Sequence, residues 1–149
     1  MSTSYIPYLP NQQYLLPCAL QEWLDPGHLA YFISDTVDSL DLKAFHARYA
    51  GGGSRNQPFH PAMMVALLLY SYCLGETSSR RIERLCSRDA GFRVVAGNLI
   101  PDHSTIARFR AGFEAELEGL FGAVLGLCAR AGMVRPGLLA IDGTKIKAD

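Results

Sequence analysis

The sequence predicts a mainly α protein: a helical domain with a helix-turn-helix-like element, followed by a short C-terminal β strand or hairpin. Apolar residues recur at helical spacing over most of the chain. Proline, glycine and small polar residues stand where helices are expected to begin and end. One short apolar run, residues 138–141, precedes Asp142 and fits a buried strand. With 149 residues, 49% of them hydrophobic and 19% charged, the chain can form one domain with a core.

Prolines interrupt the first part of the chain, and two helices are expected after it. We expect residues 1–24 to lie extended over the domain. Asp25 followed by Pro26 predicts an N-cap and the first helical position of the first helix. Asp41 is the expected cap of a second, short helix. Residues 51–58 are glycine-rich but lack the Gly-Lys-Ser/Thr of a phosphate loop, which favours a plain linker.

The third helix is expected to begin at Pro61 and to end at Gly75. Its residues are apolar on all sides, which indicates a central, buried helix. A ligand groove built from its methionines is the alternative, and core packing is favoured. Cys73 and Cys86 lie among apolar residues, where a free cysteine behaves as a small hydrophobe.

Three further helices complete the helical domain. Ser78 or Ser79 caps the fourth helix, and residues 89–97 form a short fifth helix. Asp102 then caps a long helix whose apolar positions keep the helical period as far as Leu127. Two helices, a turn and a capped third helix resemble a helix-turn-helix.

One basic residue interrupts the apolar side of that long helix. Arg110 falls within the apolar arc, so it is expected either to pair with an acid or to mark a kink near Gly112. The helix should then continue to about Met133, with Gly132 as its end.

Charge is unevenly distributed along a chain whose formal net charge is zero. Residues 1–50 hold two basic side chains against five acidic ones, whereas residues 51–110 hold eight arginines against four acids. A basic centre in a neutral chain suggests a polyanion partner for that segment.

Four of these arginines share one face of the fourth helix, at about 100° per residue. They are Arg80, Arg81, Arg84 and Arg88. Glu83 and Asp89 are expected to be their only local counter-charges. A solvated basic face without a ligand is the alternative interpretation of this pattern.

The start of the Asp102-capped helix offers a second candidate DNA surface. Ser104, Thr105 and Arg108 lie opposite its apolar face, and small or basic side chains suit DNA contacts. Glutamates farther along would be repelled by phosphates, so the DNA-facing part is expected to end by Ala111.

The remaining sequence signals exclude several classes of protein. The four cysteines are far apart and show no CxxC spacing, which disfavours a structural zinc site. The first residues lack the basic and apolar blocks of a signal peptide, and the longest apolar run is too short to span a bilayer. We therefore expect a cytoplasmic chain with no membrane partner and no small-molecule ligand.

Four segments follow one another in the order seen in bacterial insertion-sequence transposases. They are Phe59–Met64, Gly75–Glu83, Phe92–Asn98 and Pro101–Arg110. Over nearly its whole length the chain resembles the InsH-type N-terminal domain of that group. The resemblance implies binding of double-stranded DNA at the ends of the element. The candidate DNA-binding residues are Arg80, Arg81, Arg84, Arg88, His103, Ser104, Thr105 and Arg108.

The segment from Ile141 to Thr144 resembles the context of the first aspartate in the family's DDE triad of carboxylates. The resemblance implies that Asp142 is a catalytic and metal-binding residue, with Mg²⁺ as the cofactor. Two such ions can activate a nucleophile and stabilise a leaving oxygen, and hard cations prefer carboxylate oxygens. From the residues alone, Asp142-Gly143 between apolar stretches favours a hairpin turn, and both interpretations can hold together.

The resemblance divides the chain into a helical DNA-binding domain, residues 1–135, and the first strand or strands of a ribonuclease-H-like domain, residues 136–149. The sequence ends before a second aspartate or the glutamate, so we expect a truncated transposase that binds terminal repeats and does not cleave DNA alone. A stand-alone helix-turn-helix regulator without catalytic ancestry is the alternative. A structural partner of other transposase subunits is a third hypothesis, and a homodimer is a candidate assembly.

Overall fold

The computed structural model describes residues 19–48 and 58–132, together with positions 4, 5, 7 and 9–11. These residues form one short 3-10 helix and seven α-helices and contain no strand. The 3-10 helix is Leu20–Glu22, and the α-helices are α1 Leu29–Asp38, α2 Lys43–Ala47, α3 Pro61–Cys73, α4 Ser79–Arg88, α5 Ala90–Val95, α6 His103–Gly112 and α7 Glu114–Arg130. The predicted mainly α class is confirmed. The predicted C-terminal strand or hairpin lies outside the described residues.

Helix α3 is the centre of the core, as its composition predicts. Every residue of Met64–Cys73 is buried, and α1, α5 and α7 pack around this helix. The ring of Tyr70 lies edge-on to Phe92 of α5 with centroids 5.0 Å apart, and Tyr72 meets Phe121 of α7 at 4.8 Å. A fully buried leucine contributes about 1.5–3 kcal/mol relative to an exposed one. The leucines of α3 are therefore a main source of the domain's stability.

Gly91 of α5 lies directly against the Tyr70 side chain of α3. A Cβ atom at this position would overlap the Tyr70 hydroxyl, so only glycine allows the two helices to lie this close. Burial raises the pKa of Tyr70 to about 12, and the neighbouring Asp89 carboxylate adds to this effect. The phenol therefore stays neutral at physiological pH.

The Asp-Pro pair predicts that helix α1 begins at Pro26, but the helix begins at Leu29. Its N-cap is His28, whose ring Nδ1 accepts a hydrogen bond from the Ala30 N–H at 3.0 Å. The preceding residues form a turn, closed by a 2.9 Å bond from the His28 N–H to the Asp25 carbonyl. The predicted start was wrong because Asp-Pro suits a turn as well as a helix N-terminus, and here a histidine supplies the cap.

The long helix predicted after Asp102 consists of two helices. Helix α6 ends at Gly112, and Phe113, with φ of −121°, separates it from α7. Arg110 donates to the Thr77 carbonyl at 2.6 Å, and it forms no ion pair with any described residue. Of the two roles expected for Arg110, the pairing with an acid was wrong. The kink near Gly112 is confirmed, and it is a complete break in the helix.

Other helix ends follow the predicted pattern. Gly75, Gly97 and Gly132 all have positive φ, a conformation that terminates helices at little cost for glycine. Leu127, predicted on the buried face of α7, is 42% exposed, because the neighbouring Cys128 takes the core position. Within the described ranges no helix is both long and apolar enough to cross a membrane.

Candidate nucleic-acid interface

Helix α4 has one buried face and one cationic face. Ile82 and Cys86 point into the core with at most 1% exposure. Arg80, Arg84 and Arg88 lie on the opposite side and are exposed. They are spaced four residues apart, so the three guanidinium groups form a row along about 12 Å of the helix axis. We call these three residues the arginine row.

The arginine row has no ion-pair partner in the described part of the chain. None of the three side chains forms an ion pair or a hydrogen bond there. Like charges at i and i+4 destabilise a helix by about 0.2–0.5 kcal/mol per pair. The row therefore presents three unpaired guanidinium groups to solvent at a small cost in stability.

Arg81 differs from the row because it is already neutralised. Its Nε donates to Glu76 Oε2 at 2.8 Å, from the loop that precedes α4. The sequence-based expectation that Glu83 and Asp89 are the only local counter-charges was therefore wrong. Asp89 caps α5 by accepting from the Phe92 N–H at 3.1 Å, and Glu83 contacts α6.

The first turn of α6 presents small polar side chains to solvent. Asp102 caps the helix as predicted, with its Oδ1 accepting from the Thr105 N–H at 2.7 Å and from the Ser104 hydroxyl at 3.0 Å. These hydrogen bonds, those of Thr105 first, lower the pKa of Asp102 to about 2. Ser104 and Arg108 are exposed, and Thr105 is half-buried. The side chains predicted to lie nearest the bases thus share the outward side of one helix.

Helices α4 and α6 are joined by one carboxylate. Glu83 Oε1 accepts from the backbone N–H of His103 at 2.7 Å and lies 3.3 Å from His103 Nδ1. His103, a predicted DNA-binding residue, therefore holds a half-buried position at the junction of the two helices. Sequence reasoning treated Glu83 only as a counter-charge for arginine. Its helical position, between the arginines and the apolar stripe, is the signal that could have placed it at a helix–helix contact.

Neither a metal cluster nor the Cys86 thiol adds chemistry to this surface in the described part of the chain. They contain no group of three or more His, Cys, Asp or Glu side chains that could hold a metal ion. Burial raises the pKa of the Cys86 thiol to about 12, which keeps it protonated and unreactive at neutral pH. Asp142, the predicted metal ligand, lies outside the described residues. The structure thus brings together α4 and α6, the two helices that carry the candidate DNA-binding residues.

Comparison with known proteins gives one match. Residues 19–112, more than half of the chain, match a family described as a transposase domain (DUF772). Neither the curated proteins nor the solved structures include a significant match to this chain. The matched range begins just before the 3-10 helix and ends at the last residue of α6, so it includes both helices of the candidate interface.

Proposed function

The chain belongs to the transposase domain (DUF772) family, and from this premise we propose that it binds the terminal repeats of an insertion sequence for DNA transposition. In this proposal it is the DNA-binding part of an InsH-type transposase. Double-stranded DNA is the partner, α4 contacts the phosphates, and α6 lies nearest the bases.

The arginine row is the observation that supports this proposal most strongly. Arginine binds phosphate through a planar, permanently charged fork of N–H donors. Arg81 and Arg110 are engaged by protein groups, whereas Arg80, Arg84 and Arg88 are exposed, unpaired and on one face of α4. Successive phosphates of one DNA strand rise by about 3.4 Å, so a row of about 12 Å can follow several of them.

Helix α6 supplies the groups that would distinguish sequences. Serine and threonine hydroxyls both donate and accept hydrogen bonds, and arginine can donate two bonds to guanine in the major groove. Ser104, Thr105 and Arg108 offer this chemistry from adjacent turns of one helix. The short α4–α5 connection and the turn between α5 and α6 are consistent with a helix-turn-helix arrangement.

Strand cleavage and transfer are the part of the proposal that depends on residues outside the described ranges. We propose Asp142 as one carboxylate of a Mg²⁺ site that would act on phosphodiester bonds. The described residues provide no cluster that fits such an ion, so the proposed metal site is limited to Asp142 itself. A Mg²⁺ titration followed by calorimetry, comparing the chain with its Asp142→Asn variant, tests this part directly.

The salt dependence of DNA binding tests the DNA-binding proposal. Fluorescence anisotropy would measure affinity for a labelled duplex that carries the terminal repeat flanking the coding gene, and for a shuffled duplex of equal composition. Each neutralised phosphate contributes about −0.9 to the slope of log affinity against log salt. We expect a slope of about −3 or steeper on both duplexes, with tighter binding to the repeat. A slope near zero would contradict phosphate binding, and equal affinities would contradict repeat recognition.

A further inference from the structure

Two carboxylates accept hydrogen bonds from the N-terminus of α6, which limits how DNA can approach it. The N-terminus of a helix presents unpaired N–H groups and a partial positive charge, and it commonly binds phosphate. In α6, however, Asp102 accepts from the N–H of Thr105 and Glu83 accepts from the N–H of His103. Both acids would repel a phosphate, so this helix end disfavours contact with the DNA backbone.

Glu83 differs from Asp102 because it comes from another helix. An N-cap from the preceding residue fixes only the local conformation, whereas Glu83 lies 20 residues away from His103 in the sequence. The two contacts of Glu83 Oε1 are the hydrogen bonds that join α4 to α6 in the described part of the chain. They fix the first turn of α6 against the middle of α4, one residue from Arg84 of the arginine row.

The other end of α6 is held in a different way. Arg110 donates to the Thr77 carbonyl, just before α4, at 2.6 Å, and to the Tyr72 hydroxyl of α3 at 3.4 Å. Seven residues separate His103 from Arg110, about 10 Å along the helix axis. The two anchors define the direction of α6 relative to α4, and only the Glu83 anchor lies at the end proposed to meet the bases.

We infer that Glu83 is a positioning residue that determines sequence specificity, by fixing the base-facing helix α6 relative to the phosphate-facing helix α4. We call its contacts with His103 the Glu83–His103 clasp. This inference rests on the proposed DNA-binding function. Phosphate contacts fix the protein on the duplex, and base contacts read the sequence, so a specific complex needs both surfaces in one fixed relation.

The charge of Glu83 opposes non-specific binding. A carboxylate beside three unpaired arginines weakens the attraction of that surface for any polyanion. Loss of the clasp should therefore lower the affinity for the specific duplex without lowering the affinity for a non-specific one. A residue that only stabilised the fold would lower both affinities together.

The test compares Glu83→Ala, Glu83→Gln and the control Glu118→Ala, which removes an exposed glutamate from α7. Anisotropy would give the affinity ratio between the terminal-repeat duplex and the shuffled duplex. We expect Glu83→Ala to lower this ratio about tenfold, with shuffled-duplex affinity equal to or above that of the wild type. Glu83→Gln keeps an acceptor for the His103 N–H and should restore most of the ratio. Glu118→Ala should leave the ratio unchanged.

Two results would overturn the inference. One is a Glu83→Ala variant that keeps the wild-type affinity ratio, and the other is a variant whose affinities fall equally on both duplexes.

A second measurement separates failure of the clasp from failure of the proposed function. Amide hydrogen exchange of the free protein needs no DNA, and the Thr105 amide, held by Asp102, is an internal reference. We expect the His103 amide to exchange about tenfold faster in Glu83→Ala, with Thr105 unchanged. Unchanged exchange at His103 would overturn the clasp itself. The His103 amide could exchange faster in Glu83→Ala while the wild type binds both duplexes equally well. That result would overturn the proposed DNA recognition and, with it, the specificity role of Glu83.

Discussion

Seven arginines of the described chain fall into two groups that differ in what surrounds the guanidinium. Arg48, Arg81, Arg93 and Arg110 are all satisfied within the protein. Arg48 stacks on the Phe113 ring at 4.4 Å, Arg81 pairs with Glu76, Arg93 contacts both Asn98 and the Trp23 ring, and Arg110 donates to the Thr77 carbonyl. The arginine row of α4 has no comparable contact in the described chain.

This difference separates structural arginines from candidate ligand-binding arginines. A satisfied guanidinium contributes through packing and hydrogen bonds, and its loss leaves a buried or half-buried group without a partner. An exposed, unpaired guanidinium contributes almost nothing to the folded state. Replacing the first kind should therefore lower stability, and replacing the second kind should lower polyanion affinity.

The largest effect is expected from the triple replacement Arg80→Ala, Arg84→Ala and Arg88→Ala. DNA affinity should fall about 100-fold, because charge-assisted hydrogen bonds to phosphates are lost. The salt slope should become shallower by up to about 2.7, at roughly 0.9 for each phosphate. Anisotropy over a range of salt concentrations would measure both quantities.

Arg130→Ala is the matched control for that triple variant, since Arg130 is an exposed arginine at the end of α7. It should leave the slope unchanged. Thermal melting should give the same midpoint for the triple variant as for the wild type or a slightly higher one, because the like-charge repulsion is removed. A triple variant that keeps the full slope would place the DNA surface elsewhere.

The next largest effect is expected at Arg110, and it concerns stability. Arg110→Met keeps much of the side-chain volume but leaves the Thr77 carbonyl without its donor, a loss of about 1–3 kcal/mol. Urea unfolding followed by circular dichroism would measure this change. The salt slope of DNA binding should stay that of the wild type. A large change in slope with unchanged stability would move Arg110 into the ligand-binding group.

The sequence separates the two groups only in part, for a physical reason. Helical periodicity places the arginine row on one face and α3 in the core, because both depend on neighbours within the same helix. The partners of Arg81 and Arg110 come from the loop before α4, and the partner of Glu83 lies 20 residues away. Such contacts depend on how helices pack. The break at Phe113 also depends on packing, because the Phe45 ring of α2, 4.7 Å away, helps to hold Phe113 in the core. The sequence therefore predicted only a kink at this point.

A smaller effect is expected from the acid at the start of α6. The pKa of Asp102 is about 2, below its ordinary value of 3.8, because the charged form accepts hydrogen bonds. Its contribution to stability is therefore fully present above pH 3.8 and is lost as the pH falls toward 2. Asp102→Asn keeps a capping oxygen but does not titrate. Urea midpoints should show the wild type losing stability relative to this variant across that pH window, and parallel curves would contradict the assigned pKa.

The smallest effect is expected from Glu76→Gln, which tests whether the two groups of arginines can be interconverted. The Arg81 side chain is 57% exposed and the Glu76 side chain 23% exposed, so solvent screens the pair. It therefore contributes at most about 1 kcal/mol, and stability should hardly change. Freed from its carboxylate, Arg81 should behave as a fourth member of the row. DNA affinity should then rise about threefold and the salt slope should steepen by up to about 0.9.

The double variant Glu76→Gln with Arg81→Ala is the control, and it should return the salt slope to that of the wild type. If Glu76→Gln alone leaves the slope unchanged, Arg81 does not reach the phosphates even when free, and the DNA surface of α4 is limited to the arginine row.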